Sequence, residues 1–410
     1  MARDVFLGLD VGTSMVHTII AEFSQDTQAR VLGIGIAPAA GIRKGLVIDL
    51  EEATESIKKS LDEAVTEAGM TPKSCFVAIG GTHFQVASSR GVVAVSRADG
   101  EISEDDVKRV VQAAETFIPK NPNRDILHII PREFRVDNES GIKDPIGMNG
   151  VRLEVEVLIV DTSTSSLKHL AKCIENAGCH IAEFIFSPLA SAEAVLSKRQ
   201  KELGVILIDI GGGTTNFAVF EEGKLVHAGG LPYGASHITN DIAIVLRTRV
   251  DVAEQIKLRY GHAIPEEIPK KEAIRLSEFI DGDNTVVLRR EIAEIIEARF
   301  SDIFELIGKE IKKISRSQLL PAGAVLIGGG ARIPGVLQIA KKQLRLPAEL
   351  GDLRVLQEFI HERDRSQLAT AAGLVQWASL RKGGEMTSFT EVHESKMPNW
   401  LKKLSNLLFP

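Results

Sequence analysis

The pattern of apolar and polar positions is most informative at residues 204–220, GVILIDIGGGTTNFAVF. An apolar run from Val205 to Ile210 contains a single aspartate, Asp209, and leads into the glycines Gly211 to Gly213. A second apolar and β-branched run follows, so the pattern predicts a strand, a turn and a second strand. A dinucleotide-binding turn would instead require G-x-G-x-x-G opening a helix. Glycine N–H groups can cradle phosphate oxygens, which makes the turn a candidate phosphate site; a purely structural hairpin is the alternative.

The same pattern occurs near the start of the chain. In residues 5–23, VFLGLDVGTSMVHTIIAEF, an apolar strand leads to Asp10, and the small residues Gly12, Thr13 and Ser14 precede a second strand. The two aspartates lie 199 residues apart (209 − 10), which indicates an internal duplication of two half-molecules. Two such loops facing each other would clamp a triphosphate and its Mg²⁺, and both aspartates can hold the hydrated metal through water.

Two further segments are candidates for the nucleoside end of such a site. Residues 324–336, AVLIGGGARIPGV, predict a strand that ends in Gly328, Gly329 and Gly330 before a helix, so these glycines can pass flat beneath a base or ribose. A helix is predicted over VDVAEQIKLRYG, where Glu254 and Lys257 share one face. A surface salt bridge is the alternative interpretation of that pair.

The pattern changes at residues 84–162. Short strands, a helix with Ser103 as its N-cap, and further strands predict a small α+β module inserted into the first half. The module contains no catalytic constellation, which favours a structural or protein-contact role.

Composition restricts the function classes. The 410 residues suffice for two or more domains, and 44% hydrophobic with 25% charged residues is typical of a globular protein. A net charge of −6, with two tryptophans and two tyrosines, argues against nucleic-acid binding. The three cysteines lack C-x-x-C spacing, which favours a reducing compartment without structural zinc. The chain starts without a signal-peptide pattern or any apolar run of about 18 residues.

The last segment predicts a helix on a membrane surface. Residues 381–397 are polar and predict a flexible linker. In residues 398–410, PNWLKKLSNLLFP, large apolar side chains form one face and lysines lie on the other; these residues are Trp400, Leu401, Lys402, Lys403, Leu404, Leu407 and Leu408. This pattern is typical of an interfacial helix on an anionic membrane, with docking on the protein's own core as the alternative.

Taken together, the glycine turns resemble those of the actin, Hsp70 and sugar-kinase superfamily of ATPases. The order of parts is more specific: the insert with LHIIPREFRVDNESGIKDPIGMNGVRLEVEV, the loop VILIDIGGGTTNFAVF and the lysine-bearing final helix resemble the bacterial actin-like division family FtsA over residues 4–380 and the tail. The resemblance implies an α/β, actin-like ATPase fold: two duplicated RNase H-like halves around an ATP cleft, an inserted α+β subdomain (1C) and a C-terminal amphipathic helix.

The resemblance also implies the family's subdomain boundaries. Subdomain 1A would comprise residues 1–83, 163–203 and 356–380, with 1C at 84–162. Subdomain 2A would comprise 204–240 and 321–355, with 2B at 241–320. The linker at 381–397 and the membrane helix at 398–410 would follow.

The family's nucleotide contacts, carried onto matching positions, imply ATP and Mg²⁺ as cofactors. The first phosphate loop would be Asp10, Gly12, Thr13 and Ser14, and the second Asp209, Gly211, Gly212, Gly213 and Thr214. Gly328, Gly329 and Gly330 would form the adenosine turn, and Lys257 and Glu254 would border the base.

The family's role implies filaments on the cytoplasmic face of the cell membrane at the division site, where the chain would tether the tubulin-like GTPase FtsZ. The helix EIAEIIEARFSDIFELI resembles the part of subdomain 2B that receives the FtsZ tail, so Arg289 and Arg299 are candidates for its carboxylates. Other division proteins would contact subdomain 1C.

Two departures from the pattern predict slow hydrolysis and leave the catalytic residue open. Met15 stands where many relatives carry a lysine, and the helix that begins near Ser187, with Glu193 further on, offers no convincing base. We expect ATP·Mg binding with slow turnover, achieved mainly by positioning and Mg²⁺. The alternatives are a PilM-like pilus-assembly ATPase and a small-molecule kinase, which would need a further catalytic aspartate. An Hsp70-like chaperone would lack room for a substrate-binding domain.

Overall fold

The computed structural model describes residues 4–23, 29–116, 121–313 and 320–382. The predicted membrane helix at 398–410 and most of the predicted linker lie outside these ranges. Among the described helices, none combines the length and apolar character needed to cross a membrane.

The chain begins with strands and one long helix: β1 (Asp4–Val11), β2 (Met15–Phe23), β3 (Ala29–Pro38), β4 (Ile42–Arg43), β5 (Leu46–Val47), α1 (Leu50–Ala68) and β6 (Ser74–Ile79). The bounds of helix α1 follow from its ends, because Asp49 caps its first N–H groups and Gly69 ends it in the left-handed conformation. Gly33 and Gly35 let β3 approach α1, since a Cβ at either would overlap the helix backbone.

The predicted insert forms its own four-stranded sheet, in the order β7-β10-β8-β9. Its elements are β7 (Phe84–Ala94), α2 (Glu104–Thr116), β8 (Arg124–Val136), β9 (Glu139–Ile142) and β10 (Arg152–Ser163). Ser103 accepts a hydrogen bond from the Asp106 N–H at 3.3 Å, as expected of the N-cap of α2. A separate apolar core between α2 and the sheet makes the insert a packed module of its own.

The chain then returns to the first half through α3 (Thr164–Asn176), β11 (His180–Phe186), α4 (Ser187–Val195) and α5 (Lys198–Leu203). The second half contains β12 (Val205–Ile210), β13 (Thr215–Glu221), β14 (Lys224–Leu231), α6 (Ala235–Leu246), α7 (Val250–Tyr260), β15 (Ala273–Arg275), β16 (Val286–Leu288), α8 (Arg289–Lys312), β17 (Ala324–Ile327), α9 (Val336–Leu344) and β18 (Ala348–Leu350). The short α10 (Glu362–Arg365) and the helix α11 (Ala369–Lys382) complete the described chain.

The two halves have equivalent sheets. The strand order is β11-β6-β1-β2-β3 in the first sheet. It is β14-β13-β12-β17-β18 in the second sheet, which is the same arrangement listed from the other edge. In each, three antiparallel strands joined in succession are followed by two parallel ones, with β1 and β12 at the centre. The internal duplication predicted from the two aspartates is therefore present in the topology.

The helices α11 and α4 cross at the junction of the halves, where small residues allow close approach. A Cβ at Gly373 of α11 would overlap the backbone carbonyl of Ala190 in α4. Ser191 and Thr370 add a buried hydroxyl contact of 2.9 Å across the same crossing.

The insert also contacts the second half. Lys224 of β14 donates to the backbone carbonyl of Arg132 in β8. Lys143 pairs with Glu202 of α5 at 2.7 Å. On the other side, His128 of β8 lies against the Trp377 ring, 5.7 Å between centroids, and its Nε2 accepts the Phe186 N–H at 2.9 Å.

The burial of His128 predicts a loss of stability in mild acid. Burial, with a smaller contribution from the charge of Arg381, lowers the pKa of His128 from 6.5 to about 4. Because the folded-state pKa lies below the unfolded one, this stability is present above pH 6.5 and is lost as the pH falls toward 4. Between pH 7.5 and 5 we expect His128 to account for about 2 kcal/mol of the fall in unfolding free energy.

Urea denaturation of the full chain at both pH values measures this effect. The variant His128→Gln keeps a hydrogen-bond acceptor without titrating, so its stability is expected to depend less on pH. An equal pH dependence in both proteins would show that His128 is not responsible.

Candidate functional site

A cavity of about 790 Å³ lies between the two halves. Both predicted phosphate loops, the third glycine turn and the α7 pair line it, and of the fourteen predicted cofactor residues only Gly213 is absent from the lining. The residues that line it are Asp10, Gly12, Thr13, Ser14, Asp209, Gly211, Gly212, Thr214, Glu254, Lys257, Gly328, Gly329 and Gly330. Residues spread over 320 positions of the sequence (330 − 10) thus meet at one site.

The two hairpin turns have the same backbone bonding. The Gly12 N–H donates to the Met15 carbonyl and the Gly211 N–H to the Thr214 carbonyl, both at 3.0 Å. Each turn follows the aspartate of its central strand, as the sequence predicts. The helix α6 starts directly behind the second turn, where its Ala235 N–H donates to the Gly211 carbonyl at 2.9 Å.

The turns touch each other across the cleft. A Cβ at Gly212 would overlap the Ser14 side chain, and one at Gly213 would come within 2.7 Å of Thr13 Cγ2. Gly213 therefore packs against the first loop. Glycine is required at both positions because the opposing loop occupies the space of a side chain.

The electrostatics of the site centre on the two aspartates. Burial, followed by the charge of Asp10, raises the pKa of Asp209 from 3.8 to about 7. A divalent cation between the two carboxylates would remove that repulsion and stabilise the charged form. Carboxylate oxygens are ligands that Mg²⁺ accepts, often with several waters retained, so the donor set fits a hydrated Mg²⁺.

The cavity wall also holds a buried cation. Lys257 is only 6% exposed, and its Nζ donates to Thr239 Oγ1 at 2.8 Å and Glu254 Oε2 at 2.7 Å. Glu254 also accepts from Thr239. Lys257 is thus buried in the cavity wall, while its partner Glu254 is 41% exposed at the surface.

The third glycine turn lies against the second phosphate strand. Gly328 has φ +87°, a conformation that favours glycine, and a Cβ there would overlap Asp209 Oδ1. Gly329 has open space around it. The predicted helix after the turn is α9, although a short 3₁₀ turn at Gly329–Arg332 precedes it.

Ser187 and Glu193, the two residues considered as a base for the attacking water, lie in different environments. Ser187 lines the cavity at the start of α4, with an Oγ that has no hydrogen-bond partner among the described residues. Glu193 does not line the cavity and pairs with Lys201 at 2.5 Å. Met15 lines the cavity and adds no charge to it.

Sequence reasoning missed several polar residues of the cavity wall, among them His17 and Asn216. A signal was available, because each follows its hairpin aspartate by seven positions (17 − 10 and 216 − 209). The structure pairs them directly, Asp10 with His17 and Asp209 with Asn216. Asn216 Oδ1 accepts the Gly81 N–H at 3.1 Å and so ties the second hairpin to the first half.

The candidate arginines for a partner already have partners within the chain. Arg299 forms a bidentate pair with Asp241 at 2.7 and 2.9 Å. Arg289 donates to Glu272 at 2.7 Å and to the Tyr260 carbonyl at 2.9 Å. A carboxylate from another protein would compete with these groups.

Comparison with known proteins identifies the family. Residues 206–373 match the family model "Cell division protein FtsA", and residues 81–161 match "SHS2 domain inserted in FTSA". The chain is 37% identical to the FtsA of Pseudomonas aeruginosa over 347 residues, covering 85% of this chain and 82% of that protein. It is 31% identical to the FtsA of Escherichia coli over 420 residues, covering 99% and 98%.

Solved structures support the predicted actin-like fold. The chain is similar to a chain of the "PilM-PilN type IV pilus biogenesis complex", with a TM-score of 0.67, 16% identity, and 91% of this chain and 98% of that chain covered. It is also similar to MreB5 of Spiroplasma citri bound to ADP, with a TM-score of 0.54, 14% identity, and 93% and 98% covered. At these identities the likeness concerns the fold alone. The sequence relatives and the inserted SHS2 module together show that this chain belongs to the FtsA family of cell division proteins.

Proposed function

We propose that this cell-division protein binds ATP·Mg between its two hairpins, polymerises on the inner face of the cytoplasmic membrane and tethers the FtsZ ring there. The observation that carries the proposal is the pair of equivalent phosphate hairpins that face each other across one cavity. A ligand held by loops of both halves favours the conformation in which the halves are closed around it. A fixed conformation in turn favours repeated contacts between copies of this chain in a filament.

The nucleotide would be held by residues with distinct tasks. Backbone N–H groups of the loops at 12–14 and 211–214 would bind phosphate oxygens, and the glycines at 328–330 with Lys257 would border the nucleoside. Bound Mg²⁺ would neutralise phosphate charge, with Asp10 and Asp209 positioning it through water. Glu193 lies outside the cavity lining and pairs with Lys201, so it offers no base there, which supports slow hydrolysis.

The membrane anchor would be the segment 398–410. Each large apolar side chain contributes at most about 1.5–3 kcal/mol on full burial, and each lysine about 1 kcal/mol near anionic lipid. Partial insertion and the ordering of the segment offset much of this sum. One anchor would therefore bind weakly, and a filament that presents many anchors would bind tightly.

Co-sedimentation with anionic liposomes tests the anchor and the polymer together. With ATP and Mg²⁺, the full chain is expected to sediment with liposomes and to form filaments on lipid monolayers in electron microscopy. A variant lacking residues 398–410 should keep ATP binding and lose co-sedimentation. Unchanged co-sedimentation of that variant would contradict the anchor.

A pair of matched variants tests the FtsZ site in subdomain 2B. If Arg299 binds a tail carboxylate, Arg299→Ala should weaken binding of an FtsZ C-terminal peptide by about tenfold. Asp241→Asn releases the Arg299 guanidinium from its internal pair and should strengthen the same binding. Fluorescence anisotropy of the labelled peptide measures both. Equal affinities in the two variants and the unchanged chain would exclude Arg299 from the site.

A further inference from the structure

A buried histidine is left without a hydrogen-bond partner beside the phosphate loops. His17 of β2 is 7% exposed and lines the cavity. Neither Nδ1 nor Nε2 forms a hydrogen bond within the described ranges. The nearby Asp10 carboxylate lies 3.8 Å from Nδ1, beyond hydrogen-bond distance. Buried polar groups are normally hydrogen-bonded, so the ring requires a partner that enters from the cavity.

The counterpart of His17 in the second half makes a structural hydrogen bond that His17 lacks. Asn216 occupies the equivalent position opposite Asp209, and its Oδ1 accepts the Gly81 N–H, so its structural task is evident. His17 stands opposite Asp10 on the same face of its hairpin and makes no such bond. The duplicated fold thus places a polar side chain at the same position of each half. Asn216 has a hydrogen-bond partner within the described chain, and His17 has none.

The position of the ring indicates which part of a nucleotide it would meet. Asp10 and Asp209 mark the position expected for the metal, and His17 Nδ1 lies 3.8 Å from the Asp10 carboxylate. Mg²⁺ bound with a nucleoside triphosphate bridges the β- and γ-phosphates. A donor beside Asp10 is therefore at the terminal end of the phosphate chain. In either protonation state the ring keeps at least one N–H donor.

We propose that His17 is a phosphate-binding residue whose ring N–H donates a hydrogen bond to the γ-phosphate of ATP. The proposal rests on the proposed binding of ATP·Mg in this cavity and adds a residue that discriminates ATP from ADP. The first hairpin carries Met15 where many relatives have a lysine. His17 would supply a hydrogen-bond donor to the phosphates in this hairpin.

Calorimetric titration of the full chain with MgATP and MgADP tests this assignment. His17→Phe removes the donor, and we expect the affinity for MgATP to fall about tenfold to a hundredfold, the usual effect of losing a hydrogen bond to a charged group. The affinity for MgADP should fall much less. His17→Asn copies the residue of the second hairpin, keeps an N–H donor and should retain most of the ATP affinity. His169→Gln, at an exposed position of α3, is the matched control and should change neither affinity.

The melting temperature without nucleotide separates folding from binding. If His17→Phe melts well below the unchanged chain, His17→Ala takes its place, since it needs no additional space. Unchanged MgATP affinity, or equal losses for ATP and ADP, would overturn the assignment of His17 to the γ-phosphate. An unchanged chain that binds neither nucleotide would instead overturn the proposed function itself.

Discussion

Replacing Asp209 with asparagine is expected to weaken ATP·Mg binding by about 10- to 100-fold, the usual effect of losing a group that orients a metal through its outer shell. The same change should raise the melting temperature of the nucleotide-free chain. Both effects have one cause, the buried charge of Asp209. This charge destabilises the nucleotide-free protein but is needed to position the bound metal.

The charge of Asp209 disfavours the free protein. Burial and the neighbouring Asp10 raise its pKa to about 7, so above pH 3.8 ionisation of this group stabilises the unfolded chain more than the folded one and costs folding stability. The cost grows with pH between 3.8 and 7 and then stays constant. Asparagine has a similar shape and removes this stability cost because it carries no charge. Bound Mg²⁺ would offset the same cost by neutralising the carboxylate. The stabilisation should therefore be larger at pH 8 than at pH 5.

Titration calorimetry with and without Mg²⁺ measures the first effect, and thermal denaturation measures the second. Asp281→Asn, an exposed position of the second half, serves as control and should change neither. If Asp209→Asn bound MgATP within about threefold of the unchanged chain, less than the loss expected of an orienting group, Asp209 would not be part of a metal site.

The substitution Gly373→Ala is expected to destabilise the protein by about 2 kcal/mol or more, and Gly308→Ala to stabilise it by about 0.5–1 kcal/mol. Both glycines lie in helices, α11 and α8. Alanine is the better helix former, so local propensity predicts stabilisation in both cases. At Gly373, steric overlap with α4 turns the expected stabilisation into a destabilisation, whereas at Gly308 no such overlap exists.

The difference arises at the crossing of α11 and α4. A Cβ at Gly373 would overlap the backbone of Ala190, which cannot rotate away, whereas a Cβ at Gly308 would meet nothing within 4 Å. Because α4 starts at Ser187 and α11 carries Thr370, both in the cavity wall, separating the helices should also weaken nucleotide binding. Denaturant unfolding of both variants measures the stability effects. A stabilised Gly373→Ala would show that the helices cross less closely than described.

Features encoded in local sequence were predictable. Both phosphate hairpins were found because an aspartate at a strand end followed by small residues is a local pattern that occurs twice. The apolar positions of α8 likewise recur at helical spacing in the sequence, and Ile292, Ile296, Phe300 and Ile303 are buried while Ile295 is only partly buried.

Features that depend on distant parts of the chain could not be predicted. Asp241 neutralises Arg299 across 58 positions, and Thr239 helps to bury Lys257 from the neighbouring helix α6. His17 and Asn216 were overlooked because single polar residues within apolar strands give no periodic signal. Only the register of each hairpin places them opposite the aspartates.

The central claim is that one nucleotide is held between the two hairpins, and a structure of the full chain with Mg²⁺ and a non-hydrolysable ATP analogue tests it most directly. We expect the triphosphate between residues 12–14 and 211–214, with Mg²⁺ on the side of Asp10 and Asp209. We also expect the nucleoside against residues 328–330 and Lys257. A nucleotide bound elsewhere, or phosphates contacted by only one of the two hairpins, would contradict the account.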